Sequence, residues 1–168
     1  MLLELKKGIN LEYKMSLKIL SASIEDKNEI YKALLIYSKE LEQFQENQTG
    51  EITSDKYFDH YWTESDRFPF VAYINNELIG FCLLRAREKY YSIAEFYIKS
   101  KFRRLGHGKS LLDFIIGFCK EQGTHSSIMA NSLIKNLTAH YFWIANGFIT
   151  LKEVSHENER YYSNLMEF

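Results

Sequence analysis

Leu17 to Ala22 alternates apolar and polar residues, the period of a half-buried strand. Ser23 and Asp26 then offer caps to a helix whose Ile30, Ala33, Leu34, Tyr37 and Leu41 recur at helical spacing. Gln45 to Gly50 is a polar break. Beyond it the spacing predicts a second helix over Ser54 to Glu64, with Tyr57, Phe58, Tyr61 and Trp62 on one side. Pro69 marks the next change: Phe70 to Ile74 and Leu78 to Leu84 are strand-like runs joined at Asn75-Asn76, a pair suited to a tight hairpin. Tyr91 to Lys99 is a third strand of this group. Lys109 to Lys120 is helical, with Leu111, Leu112, Ile115, Ile116 and Cys119 at three- and four-residue steps and Gly123 as its stop. Ser127 to Asn131 follows as a short strand, and Asn136 to Asn146 as a helix closed by Gly147. Phe148 to Val154 and Arg160 to Phe168 are strands around the polar turn Ser155 to Glu159. This order of elements specifies one α/β layered domain with a mixed sheet over residues 17–168. Residues 1–14 show no clear period, and residues 1–16 stand as an N-terminal extension.

Composition narrows the class without changing the architecture. Hydrophobic residues make up 46% of the 168 and charged residues 26%, enough for one domain with a real core. The net charge of −1 supplies no global field toward nucleic acid or a membrane, so any bound anion must meet a local patch. Cys82 and Cys119 sit inside apolar stretches and read as reduced core residues, which fits a cytoplasmic protein. No apolar run approaches the roughly 20 residues of a membrane span. The five histidines lack metal-ligand spacing and no cysteine pair supports zinc, so no metal is expected.

The densest chemistry lies between Glu95 and Gly108. A strand carrying Glu95 leads through a cationic turn into Gly106 and Gly108, which open an amphipathic helix. Bare backbone amides at a helix N-terminus beside arginines make a phosphate cradle. Two familiar glycine motifs fail here. Gly108-Lys109-Ser110 ends like a nucleotide-binding P-loop, but Arg103 stands where that motif needs glycine. Gly106-His107-Gly108 begins like a dinucleotide fingerprint, but its third glycine would fall at Leu111.

What remains is Arg-x-x-Gly-x-Gly, as Arg103-Arg104-Leu105-Gly106-His107-Gly108. Here the chain resembles the GNAT superfamily of N-acetyltransferases, whose acetyl-CoA loop carries Gln/Arg-x-x-Gly-x-Gly/Ala between a strand and a helix. The strand Ala94 to Ile98 looks like that family's fourth, and Asn136, Ala139, Phe142, Gly147 and Phe148 match its later motif. The resemblance implies a central mixed, mostly antiparallel twisted sheet flanked by helices. It implies acetyl-CoA as cosubstrate, and an amine of a small molecule or a peptide as acceptor. Backbone contacts to acetyl-CoA would come from Tyr97 and Ile98 and from Arg104, Leu105, Gly106, His107, Gly108 and Lys109. Arg103, Arg104 and Lys109 would add charge, Asn136 would reach the pantetheine arm, and Trp143 would pack against its thiol end.

Glu95 is the candidate base, because a protonated amine has no lone pair and must lose its proton before it attacks. The family often uses a tyrosine of the later motif as acid for the departing thiolate. This chain has Trp143 there, and an indole N–H is no proton source near neutral pH. Tyr141 points to another face of the helix; water, Tyr97, Tyr161 or Tyr162 could assist, or the thiol, with a pKa about 8.5, leaves unaided. Tyr37, Glu40, Phe44, Tyr57, Tyr61, Trp62 and Glu64 would make an aromatic, acidic pocket suited to a cationic amine, or serve as core. A non-catalytic acyl-CoA-binding module is the alternative function, favoured by the missing tyrosine. Exposed sheet edges are compatible with a homodimer.

Overall fold

The computed structural model describes residues 16–46 and 56–168, which build a single seven-stranded sheet with helices on both faces. The strands are β1 (Leu17–Ser21), β2 (Arg67–Ile74), β3 (Glu77–Ala86), β4 (Tyr91–Ile98), β5 (Ser127–Leu133), β6 (Ile149–His156) and β7 (Glu159–Glu167). Their order across the sheet is β1-β2-β3-β4-β5-β7-β6, and only β4 and β5 run parallel. The helices are α1 (Lys27–Leu41), α2 (His107–Gln122) and α3 (Leu137–Ala145). The mixed sheet expected from the order of elements is present.

Two hydrophobic layers hold the helices to the sheet. On one face Ile30, Ala33 and Leu34 of α1 pack with Val71, Phe81, Leu83 and Tyr97. On the other, Leu111, Leu112, Ile115 and Cys119 of α2 pack with Phe70, Cys82, Leu84, Tyr91 and Ile93. Cys82 and Cys119 are both free and buried, as their apolar settings require. The tight turns obey local chemistry. Asn75-Asn76 and Glu157-Asn158 all take positive φ, between 48° and 63°, which matches the right-handed twist of two-residue hairpins. The second of these is shorter than the Ser155 to Glu159 turn expected, because β6 and β7 pair out to His156 and Glu159.

The helix expected over Ser54 to Glu64 is replaced by a short 3-10 segment, Phe58–Trp62; Ser54 and Asp55 lie outside the described residues, as does most of the polar break. Phe58 and Tyr61 are its buried positions, and a three-residue repeat fits a 3-10 turn as well as an α-helix. Aromatic and β-branched residues also lower helix propensity here.

Candidate functional site

β4 changes partners along its length. It pairs with β5 only at Tyr91, Ser92 and Ile93; beyond Ile93, β4 stays with β3 while β5 continues beside β7. The one parallel pair among the described strands therefore splays apart, and the stretch of β4 after Ile93 has an open flank. A bulge lies at the same place. Leu83 pairs with Glu95 but Leu84 with Ile93, so Ala94 is the extra residue. One inserted residue reverses the alternation of faces. Tyr91 and Ile93 pack under α2, whereas Ala94 and Tyr97 pack under α1, and Glu95 shares that α1 side with its partner Leu83.

The ladder also decides which backbone groups face the gap. Lys99 donates its N–H to the Ile79 carbonyl (2.8 Å), so Tyr97, two residues earlier, exchanges its hydrogen bonds with Phe81. Tyr97 thus offers no backbone group to the gap, contrary to the sequence expectation. Phe96 and Ile98 do, and the Ile98 carbonyl already accepts from Arg103 Nε at 2.7 Å. Phe96 was invisible in the sequence, because strand polarity toward either neighbour depends on register.

At the end of the gap the chain turns into α2. Ser110 donates to the Gly106 carbonyl (3.0 Å), so the amides of His107, Gly108 and Lys109 precede the first internal bond of the helix. Those of Arg104, Leu105 and Gly106 make no backbone hydrogen bond either among the described residues. Gly106 holds φ +85°, a left-handed conformation that only glycine adopts without strain. Gly108 has a different reason: a Cβ there would stand 3.3 Å from the Phe142 ring of α3. The turn is a cradle of unpartnered donors at a helix N-terminus.

Several of the side chains around it are engaged within the fold. Arg103 is committed to α1 through Glu40 (2.5 Å), and Glu40 also accepts from the Tyr97 hydroxyl (2.9 Å). Lys109 pairs with Asp113 at 2.6 Å. Arg104 is exposed and makes no ion pair among the described residues, while Leu105 is 63% exposed. Asn136 caps α3, its side-chain oxygen accepting from the Ala139 N–H at 3.1 Å. Trp143 lies in the core, packed on Phe96, Phe142 and Phe148, with a buried indole N–H that has no partner among the described residues.

Glu95 stands on the α1 side, half-buried, with Tyr37 and Arg85 as its nearest polar company. Burial pushes its carboxyl up to about 8, against the opposing pull of the Arg85 guanidinium and the Tyr37 hydroxyl. Tyr61 and Tyr161 also lie within its field. Among the tyrosines weighed as acids, Tyr97 is bonded to Glu40 and Tyr162 stacks on His140 at 4.2 Å; Tyr161 is the one that senses Glu95. Tyr141 is 63% exposed. Of the acidic residues expected around the first helices, Glu40 is engaged by Arg103, and Glu64 by His60 and Arg67. Phe58 and Tyr61 are core residues.

A strand that opens beside its parallel neighbour, a bulge that turns a carboxyl to the α1 side, and an amide cradle at the next helix follow one another along residues 91–109. The family model for the acetyltransferase (GNAT) family matches residues 33–148, which contain all three. The chain belongs to the GNAT family of acetyltransferases. Solved structures agree on the fold. A GNAT acetyltransferase from Staphylococcus aureus Mu50 superposes with a TM-score of 0.70 at 23% identity, covering 89% of this chain and 99% of that one. The ribosomal-protein-S18-alanine N-acetyltransferase from Escherichia coli gives 0.70 at 15% identity, covering 90% and 94%. A GNAT family acetyltransferase from Elizabethkingia anophelis with acetyl-CoA bound gives 0.56 at 18%, covering 74% and 95%. No curated protein matches the sequence. Within this GNAT chain no helix among the described residues is long and apolar enough to cross a membrane.

Proposed function

We propose that this chain moves the acetyl group of acetyl-CoA to a primary amine by direct attack. The observation that carries the proposal is the continuity of the site, in which Glu95 lies one bulge away from the open flank of β4. The unpartnered amides of residues 104–109 suit the pyrophosphate, with Arg104 as the free cation beside them. The groups of Phe96 and Ile98 suit the pantetheine arm.

Glu95 accepts a proton from the ammonium, directly or through water. The amine lone pair then attacks the thioester carbon, a C–N bond forms, the C–S bond breaks, and the thiolate leaves. The excess proton of the new amide passes to solvent or base. With the Glu95 carboxyl at about 8, about a tenth of it is ionised at pH 7, and its ionised form is a stronger base than an exposed carboxylate. The buried Trp143 supplies no acid, so the thiolate leaves unprotonated or takes its proton from water or Tyr161.

Glu95→Gln tests this assignment through release of free CoA thiol in the presence of acetyl-CoA and an amine. The variant is expected to lose about 100-fold in kcat while its KM for acetyl-CoA stays within about twofold, the size usual for removing a general base. Wild-type kcat/KM for the acceptor should climb with pH through about 8. Full activity of the variant at every pH would remove Glu95 from the mechanism.

A further inference from the structure

Buried polar atoms without partners are rare in folded proteins, and each is destabilising when left so. Five side-chain atoms of this kind occur among the described residues, and three of them converge on one place: Arg85 Nε, Arg67 Nη1 and the Tyr61 hydroxyl. Arg67 and Arg85 are direct partners across β2 and β3. Both lie on the α1 side, since Val71 on β2 and Leu83 on β3 belong to that layer. The Arg67 guanidinium sits over the Tyr61 ring at 5.5 Å.

Two like charges directly opposite each other on a sheet face repel. Arg67 is compensated in part, its Nε reaching Glu64 at 3.1 Å and Asp66 at 3.5 Å. Arg85 has no ion pair among the described residues. Glu95 feels the Arg85 charge, but burial favours its protonated form near neutral pH, so the guanidinium is not fully neutralised from that side. The Tyr61 hydroxyl oxygen, which can accept as well as donate, takes up part of the Arg67 guanidinium and leaves Arg85 as the cation of the pair with no ion-pair acceptor among the described residues.

We infer that Arg85, with Arg67 and Tyr61 beside it, is an oxyanion subsite for the acceptor, and that the acceptor is a small amino acid-like molecule with its amine at Glu95 and its carboxylate at Arg85. This rests on the acetyl-transfer reading above and names its substrate class. The spacing supports it. Glu95 is the partner of Leu83, and Arg85 is two residues further along β3, so their Cα atoms are about 8 Å apart from strand geometry. Glu and Arg side chains shorten that span from both ends, to the length of a molecule whose amine and carboxylate are a few bonds apart. A planar guanidinium with parallel donors is the natural partner for a carboxylate. A lysine side chain within a protein, or a polyamine, carries no such group near its amine.

The test compares the proteinogenic amino acids with their own α-carboxamides as acceptors, reading CoA thiol release by the full chain with acetyl-CoA. At least one amino acid is expected to exceed its carboxamide by about 10- to 100-fold in kcat/KM, the worth of a hydrogen bond to a charged group. Arg85→Gln should collapse that ratio toward one, and Arg85→Lys should keep part of it. Equal or better use of the carboxamides by wild type overturns the inference. So does a ratio that survives in Arg85→Gln. Calorimetric titration of the same amino acids into CoA-saturated protein separates the two readings without turnover. Carboxylate-dependent binding with no amine ever acetylated sinks the transferase mechanism and leaves the subsite standing. Acetylation without carboxylate preference does the reverse, and neither binding nor turnover sinks both.

Discussion

The Glu95 carboxyl is held near 8 because burial disfavours its charged form by more than Arg85 and Tyr37 restore. An unfolded glutamate titrates at about 4.3, so between roughly pH 4 and 8 the folded state binds the extra proton. Stability therefore falls as pH rises through that window. Glu95→Gln has no proton to lose, and its Tm relative to wild type is expected to rise between about pH 5 and pH 9. A constant difference across that range would mean that Glu95 titrates as an exposed carboxylate does. The residue type of Glu95 and its place on a strand were legible from its neighbours in the chain. Its enclosure by Tyr37, Arg85 and Tyr61 joins four elements and could be learned only from the fold. Trp143 illustrates the converse: the motif placed it correctly on α3, but packing on Phe96 and Phe148 turned its indole into the core.

At the scale of elements, the turn between β4 and α2 is anchored by a tie that sequence spacing does not show. Arg103 bonds the Ile98 carbonyl within its own turn and Glu40 on α1, while Tyr97 holds the other oxygen of Glu40. Arg103 thereby ties the amide cradle to α1. Arg103→Ala and Glu40→Gln are each expected to cost about 0.5–1 kcal/mol, a modest value because both groups are partly exposed. The double variant should cost less than the sum, and urea titrations of the four proteins measure the shortfall. Each single variant should also raise the KM for acetyl-CoA. Strict additivity would show that the pair acts separately. The replaced helix at Phe58–Trp62 has a related cause, since an apolar repeat of three residues does not distinguish a 3-10 turn from an α-helix until the chain is packed.

Across the whole molecule, the sheet is two arms hinged at Ile93 and Ala130, with α1 covering one side and α2 and α3 the other. Acetyl-CoA seated in the opening should slow amide hydrogen exchange at Phe96, Ile98 and residues 104–109. Tyr97 should not respond, because its amide is already in the β3 ladder. Protection at Tyr97 without change at its neighbours would place the cosubstrate elsewhere. By itself the sequence determined the order of elements, the hairpin at Asn75-Asn76, the glycine turn and the family, since each depends on residues close together in the chain. The tertiary structure decided the rest. A bulge of one residue chose the face for Glu95, the strand register chose which amides look into the opening, and the approach of β2 to β3 brought Arg67 and Arg85 together. These are contacts between distant segments, and no local pattern of apolar and polar residues encodes them.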